Sequence, residues 1–67
     1  MYIYSKKHRE ILNMDCIPCM WQDGAYIRYT SGDESYSMWF GDGDEVRKII
    51  QMITTAMKSK KKYLEIP

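Results

Sequence analysis

The sequence predicts an α+β fold: an antiparallel β-meander of about four strands, one C-terminal amphipathic helix and a short extended tail. Three observations predict it. The first forty residues read as short runs of β-formers, with apolar positions alternating at period two. Gly-containing turn signals, Asp23-Gly24 and Ser31-Gly32-Asp33-Glu34, punctuate those runs. At Gly41–Glu45 the apolar period changes to 3.6. The chain has 67 residues and is expected to be a single domain over 1–67, since domains need roughly 50–200 residues.

Strands are expected within 2–40. Tyr2 to Ser5 is short, aromatic and apolar and suits a first strand; Lys6 to Glu10 is a polar turn, and Ile11-Leu12 resumes extended structure. Cys16 to Trp21 is a further apolar stretch that Pro18 confines to an edge or bulge. Asp23-Gly24 is a tight hairpin signal. In the strand that follows, Tyr26, Arg28 and Thr30 share one face while Ala25, Ile27 and Tyr29 share the other. Ser35 to Phe40 alternates again, with Tyr36, Met38 and Phe40 on one side.

The helix is expected over about 43–61. Asp42 suits its N-cap with Glu45 three positions on, and Asp44 adds negative charge at the positive end of the dipole. Val46, Ile49, Ile50, Ile53, Ala56 and Met57 then form one apolar stripe. Lys58, Lys60, Lys61 and Lys62 crowd the expected last turn, where cations complement the dipole. Residues 63–66 form an extended tail suited to an edge strand or to docking on a partner.

Composition narrows the functions. Ten Lys and Arg stand against nine Asp and Glu, which argues against an obligate nucleic-acid coat or a disordered acidic tail. Two cysteines are too few for the disulfide framework of small secreted scaffolds. The basic stretch follows the first apolar residues, the reverse of a secretory signal, and no apolar run approaches the roughly 18 residues of a membrane span. A cytoplasmic location with no membrane association is therefore expected.

Several residues invite a chemical reading. Cys16-Ile17-Pro18-Cys19 is a CxxC motif, but it lies in an expected strand, with no helix N-terminus to activate a thiol. A structural zinc site needs four ligands, and the chain adds only His8, so the cysteines read as small semi-buried hydrophobes. Asp42, Asp44 and Glu45 do not match a calcium loop of about 12 residues and are explained by the helix start. His8 is the only histidine and reads as a solvated loop residue, while Gly41-Asp42-Gly43-Asp44 lacks the lysine of a phosphate loop. No metal, cofactor or catalytic residue is expected, and the protein reads as non-enzymatic.

Two features remain. Lys6, Lys7 and Arg9 make one basic cluster and Lys60, Lys61 and Lys62 another. Among the aromatic residues, Trp21, Tyr36, Trp39 and Tyr63 are the expected interaction residues, because aromatic side chains anchor protein interfaces. Bulky residues on both faces of the Ser35–Phe40 strand predict burial on both faces, most simply by self-association into a homodimer.

The opening Met1–Ser5, the segment Ile11-Leu12-Asn13-Met14-Asp15-Cys16-Ile17, the meander, the acidic helix start and the ending Tyr63–Pro67 are together similar to a group of very short proteins from Gram-positive bacteria and their phages. Within that group the chain resembles the Hachiman anti-defence family, compact homodimers that block a bacterial anti-phage system. The resemblance implies a phage or prophage protein that binds and inhibits a host defence protein, with no motif whose functional residues carry over. Two other readings stay open: a nucleic-acid-binding accessory protein using the lysines and tyrosines, and a nucleotide-signal sponge with a pocket between subunits.

Overall fold

The chain folds as α+β. The computed structural model describes residues 1–67, with strands β1 (Tyr2–Ser5), β2 (Glu10–Asn13), β3 (Cys19–Asp23), β4 (Tyr26–Ser31), β5 (Glu34–Trp39) and β6 (Tyr63–Ile66), helix α1 (Gly43–Lys58) and one 3-10 turn at Met14–Cys16. They form two three-stranded sheets, ordered β2-β1-β6 and β3-β4-β5. The second sheet is the expected meander. The first is mixed, because β1 pairs antiparallel with β2 and parallel with β6. Six strands in two sheets therefore replace the expected four in one, and the extended tail is a strand.

Glycine sets both hairpins of the second sheet. Asp23 pairs with Tyr26 and Ser31 with Glu34, leaving Gly24-Ala25 and Gly32-Asp33 as two-residue turns. Gly24 and Gly32 have φ of +58° and +62°, whereas Ala25 and Asp33 do not enter the left-handed region. Positive φ at the first central position alone is the type II′ turn, whose twist matches the flanking strands. The turn centre thus falls one residue beyond the Asp23-Gly24 pair that the sequence suggests.

Asp42 caps α1 as expected, its carboxylate accepting from the Asp44 N–H at 3.0 Å. The helix ends at Lys58, short of residue 61. Its carbonyls are closed by a Schellman motif: the Lys60 N–H bonds the Met57 carbonyl at 3.1 Å and the Lys61 N–H bonds the Ala56 carbonyl at 3.0 Å. Lys60 occupies the left-handed position at φ 55°, where glycine is usual. Only Lys58 lies in the last turn, and Lys60–Lys62 lead out of it toward β6.

The core draws on both sheets and the helix. Ile3, Leu12 and Ile66 come from the first sheet; Ile27, Tyr29, Met38 and the adjoining Phe40 come from the second; Val46, Ile49 and Ile53 come from α1. The helix packs on β3, β4 and β6, so one apolar stripe closes both sheets. Each fully buried aliphatic side chain contributes about 1.5–3 kcal/mol.

The one buried polar residue is Ser5. Its hydroxyl donates to the Pro67 carbonyl at 2.8 Å and accepts from the His8 backbone N–H at 3.3 Å. His8 Nδ1 lies 2.9 Å from the same oxygen. The single hydroxyl proton goes to a carbonyl that can only accept, so His8 carries its proton on Nδ1 and donates. The imidazole edge also packs on Phe40, with ring centroids 4.8 Å apart. His8 is thus a buttress rather than a solvated loop residue. The Ser5 hydroxyl is buried and donates to Pro67 rather than to the imidazole.

The cysteines differ from expectation too. Cys16 ends the 3-10 turn instead of lying in a strand, and Cys19 opens β3. Both thiols are free and exposed, not semi-buried, while their neighbours Met14, Ile17 and Met20 pack against the core.

Candidate functional site on the outer face of the second sheet

Strand alternation turns Ile27, Tyr29 and Met38 into the core and their neighbours outward. The register aligns the outward residues in rows across β3, β4 and β5: Trp21–Arg28–Ser37 and, beside it, Asp23–Tyr26–Trp39. Arg28 therefore sits on the central strand with an aromatic residue directly across from it and two more in the next row.

Its guanidinium is held on three sides. Nε donates to Asp23 Oδ2, Nη1 donates to Ser37 Oγ at 2.7 Å, and the group lies 5.0 Å over the Tyr26 ring. A guanidinium has five N–H donors in a rigid fork, so three remain open to a partner. Around it Trp21 is 40% exposed, Tyr26 39% and Trp39 53%. Trp39 is itself braced: the Lys7 ammonium lies 5.2 Å over its ring and donates to the Phe40 carbonyl at 3.3 Å. Gly41, at φ +84°, turns the chain beneath the same ring. Immobilised Trp, Tyr and Arg side chains are what dominate binding energy at protein interfaces, because little rotamer entropy remains to be lost.

The expected interaction residues do not converge on one surface. Trp21 and Trp39 share this outer face. Tyr36 lies on the opposite, inward face, stacked on Tyr29 with centroids 5.4 Å apart. Its hydroxyl donates to Glu34 at 2.6 Å, and that hydrogen bond is the main reason its pKa rises above the ordinary phenol value. Tyr63 belongs to the outer face of the first sheet, beside Tyr2 in register. Desolvation raises its pKa, with the Glu65 carboxylate adding to the shift.

The basic residues also divide. The Lys6 N–H bonds Ile66 and the Tyr2 N–H bonds Lys62, which sets the two clusters at opposite ends of β1, about 13 Å of strand apart. Lys6 Nζ is 3.6 Å from Glu65, Lys7 braces Trp39, and Arg9 takes φ 54° in the β1–β2 turn. Lys60, Lys61 and Lys62 are exposed where α1 leads into β6. Elsewhere, Met14, Ile17, Met20, Ile50 and Met57 line an apolar groove of about 200 Å³ between α1 and the segment entering β3.

Asp23, Tyr26 and Arg28 are functional candidates that sequence reasoning passed over. Alternation had put Tyr26 and Arg28 on one face, but only the register shows Trp21, Ser37 and Trp39 beside them. Compared with known proteins, this chain matches no family model, no curated protein and no solved structure.

Proposed function

We propose that this chain is a non-enzymatic binding protein that docks the outer face of β3–β4–β5 on a partner protein and acts as a homodimer. The observation that carries the reading is Arg28, pinned by Asp23, Ser37 and Tyr26 with three donors free and flanked by the exposed rings of Trp21 and Trp39. Such a fork suits a carboxylate or a pair of carbonyls on the partner, while the tryptophans exclude water around the contact. The homodimer is supported by large aromatic and apolar residues left exposed on several faces of a small chain. The proposed partner, a host anti-phage defence protein in the cytoplasm of the infected cell, rests on the resemblance carried by Met1–Ser5, Ile11–Ile17 and Tyr63–Pro67.

The test is plating of a phage on a host carrying the Hachiman defence, with this chain expressed from a plasmid. Expression of the wild type is expected to restore plating, and Arg28→Ala at equal protein level is expected to leave the defence intact. Failure of the wild type to restore plating would remove the defence partner; equal rescue by both would remove the Arg28 face.

One arrangement favours a second reading. Tyr2, Tyr4 and Tyr63 share the outer face of the first sheet, with Lys60–Lys62 at one end of β1 and Lys6 at the other. Stacking rings between phosphate-binding lysines suit a short single-stranded nucleic acid. Steeply salt-dependent binding of an oligonucleotide, lost in Tyr2→Ala, would establish this reading; no binding at low salt would dismiss it.

A further inference from the structure

β5 ends its sheet with one edge unpaired. The Phe40 N–H bonds the Ala25 carbonyl at 2.9 Å, which sets the phase of the ladder. With the β4–β5 register, residues 34, 36 and 38 exchange hydrogen bonds with β4, while Ser35, Ser37 and Trp39 turn their N–H and C=O groups outward. Proteins guard such edges with proline, lysine, bulges or short strands. β2 and β6 are only four residues long, and β3 begins just after Pro18. β5 has six residues in unbroken register, without proline, lysine or bulge.

We propose that β5 pairs antiparallel with β5 of a second copy of this chain, about a two-fold axis at Ser37, joining two sheets into one of six strands. This rests on the homodimer proposed above and names its interface. Antiparallel pairing must match outward residues with outward residues. Centred on Ser37, it sets Ser35 opposite Trp39 and Tyr36 opposite Met38, so small residues face large ones on the outer face. It also brings the free backbone groups of 35, 37 and 39 against their own equivalents.

Charge selects the same occupant. The edge is acidic at its start, where Glu34 is exposed, and basic at its end, where the Lys7 ammonium sits over Trp39 and on the Phe40 carbonyl. A reversed copy places Glu34 opposite Phe40 of the second copy, the residue whose carbonyl holds Lys7, at both ends, whereas a parallel copy sets Glu34 beside Glu34. Trp39 and Tyr36, exposed on the two faces beside the edge, add apolar area to the backbone pairing. The result sets the two Arg28 faces side by side on one continuous surface.

Sedimentation across about 1 μM to 1 mM protein tests this, with circular dichroism as the check on folding. The wild type is expected to dimerise. Ser37→Pro removes an N–H that points away from β4, leaving the internal ladder whole, and is expected to raise the dimer Kd at least about tenfold. Glu34→Lys is expected to weaken the dimer, and Glu34→Lys with Lys7→Glu in the same chain to restore it. If Ser37→Pro fails to fold, the charge-swap pair decides alone: restoration supports the interface, no restoration overturns it. A wild-type dimer indifferent to both substitutions overturns the β5 interface and leaves the homodimer standing. A wild type monomeric throughout overturns both.

Discussion

The two sheets share one helix and one core but are made in different ways. The β3-β4-β5 sheet is local: consecutive strands are joined by two-residue turns, each led by a glycine. The β2-β1-β6 sheet joins the two ends of the chain, with β1 beside β6 in parallel and Ser5 holding the Pro67 carbonyl. Their outer faces differ as well. The local sheet presents a guanidinium fixed among tryptophan and tyrosine, and the other presents a row of tyrosines with glutamate and lysine beside them. The local sheet closes through short-range pairing and shares only its core with distant chain, whereas a sheet closed by remote strands depends on that core and on the Ser5 network as well.

Ile66→Ala breaks that contrast most strongly. Ile66 is 1% exposed on β6, and its truncation is expected to cost about 2–5 kcal/mol, a large share of the roughly 5–15 kcal/mol of a small domain. Amide exchange is expected to accelerate in β1 and β6 before β4; equal acceleration throughout would show that the sheets do not differ in independence. Ser5→Ala is next. It leaves the Pro67 carbonyl and His8 Nδ1 without their partner and is expected to cost about 1–3 kcal/mol in a chemical melt, again felt first at β6.

Alkaline pH reaches both sheets. In the local sheet, burial and then the Glu10 charge raise the Tyr29 pKa, and the Glu34 hydrogen bond raises that of Tyr36; in the other sheet, desolvation raises Tyr63. Each fold-state pKa lies above the unfolded value, so the protonated phenols favour the folded chain. That contribution is complete below about pH 10 and is lost as pH rises through the folded values. Denaturant melts are expected to show stability unaffected by these groups up to that point and falling beyond it. A gain in stability above it would contradict the assignments.

The smallest effect is a gain. Lys60→Gly relieves an L-residue held at φ 55° in the Schellman turn that feeds β6, and is expected to stabilise by about 0.5–1 kcal/mol. A loss would show that the lysine side chain has its own role in that turn.

The same contrast governs what could be read from the amino acids. Asp42 and the Val46–Ile53 spacing announce α1, and glycine with alternating β-formers announces the hairpins, because those signals are local. The pairing of β1 with β6 has no local signal: four apolar residues near each end look alike whether they pair or not. The helix end at Lys58 has no glycine to mark it, because a lysine takes the left-handed position. His8 carries no signal in the linear sequence, because its role comes from Ser5 and Phe40, which it touches, and from Pro67, which shares the Ser5 hydroxyl. Trp21 and Trp39 read from the sequence as bulky interaction residues with no face assigned, but Arg28 acquires its meaning only from the register that sets Asp23 and Ser37 within its reach.

The proposed docking through the outer face of β3–β4–β5 is open to one direct measurement. The direct measurement is capture of the defence protein from host lysate by tagged wild type, by a Trp21→Ala, Trp39→Ala double variant and by a Tyr2→Ala, Tyr63→Ala double variant, all at equal folded concentration. The tryptophan variant is expected to lose capture at least about thirtyfold, as befits two anchors, and the tyrosine variant to retain it. Capture that survives loss of the tryptophans and disappears with the tyrosines would contradict docking through β3–β4–β5 and move the binding face to the other sheet.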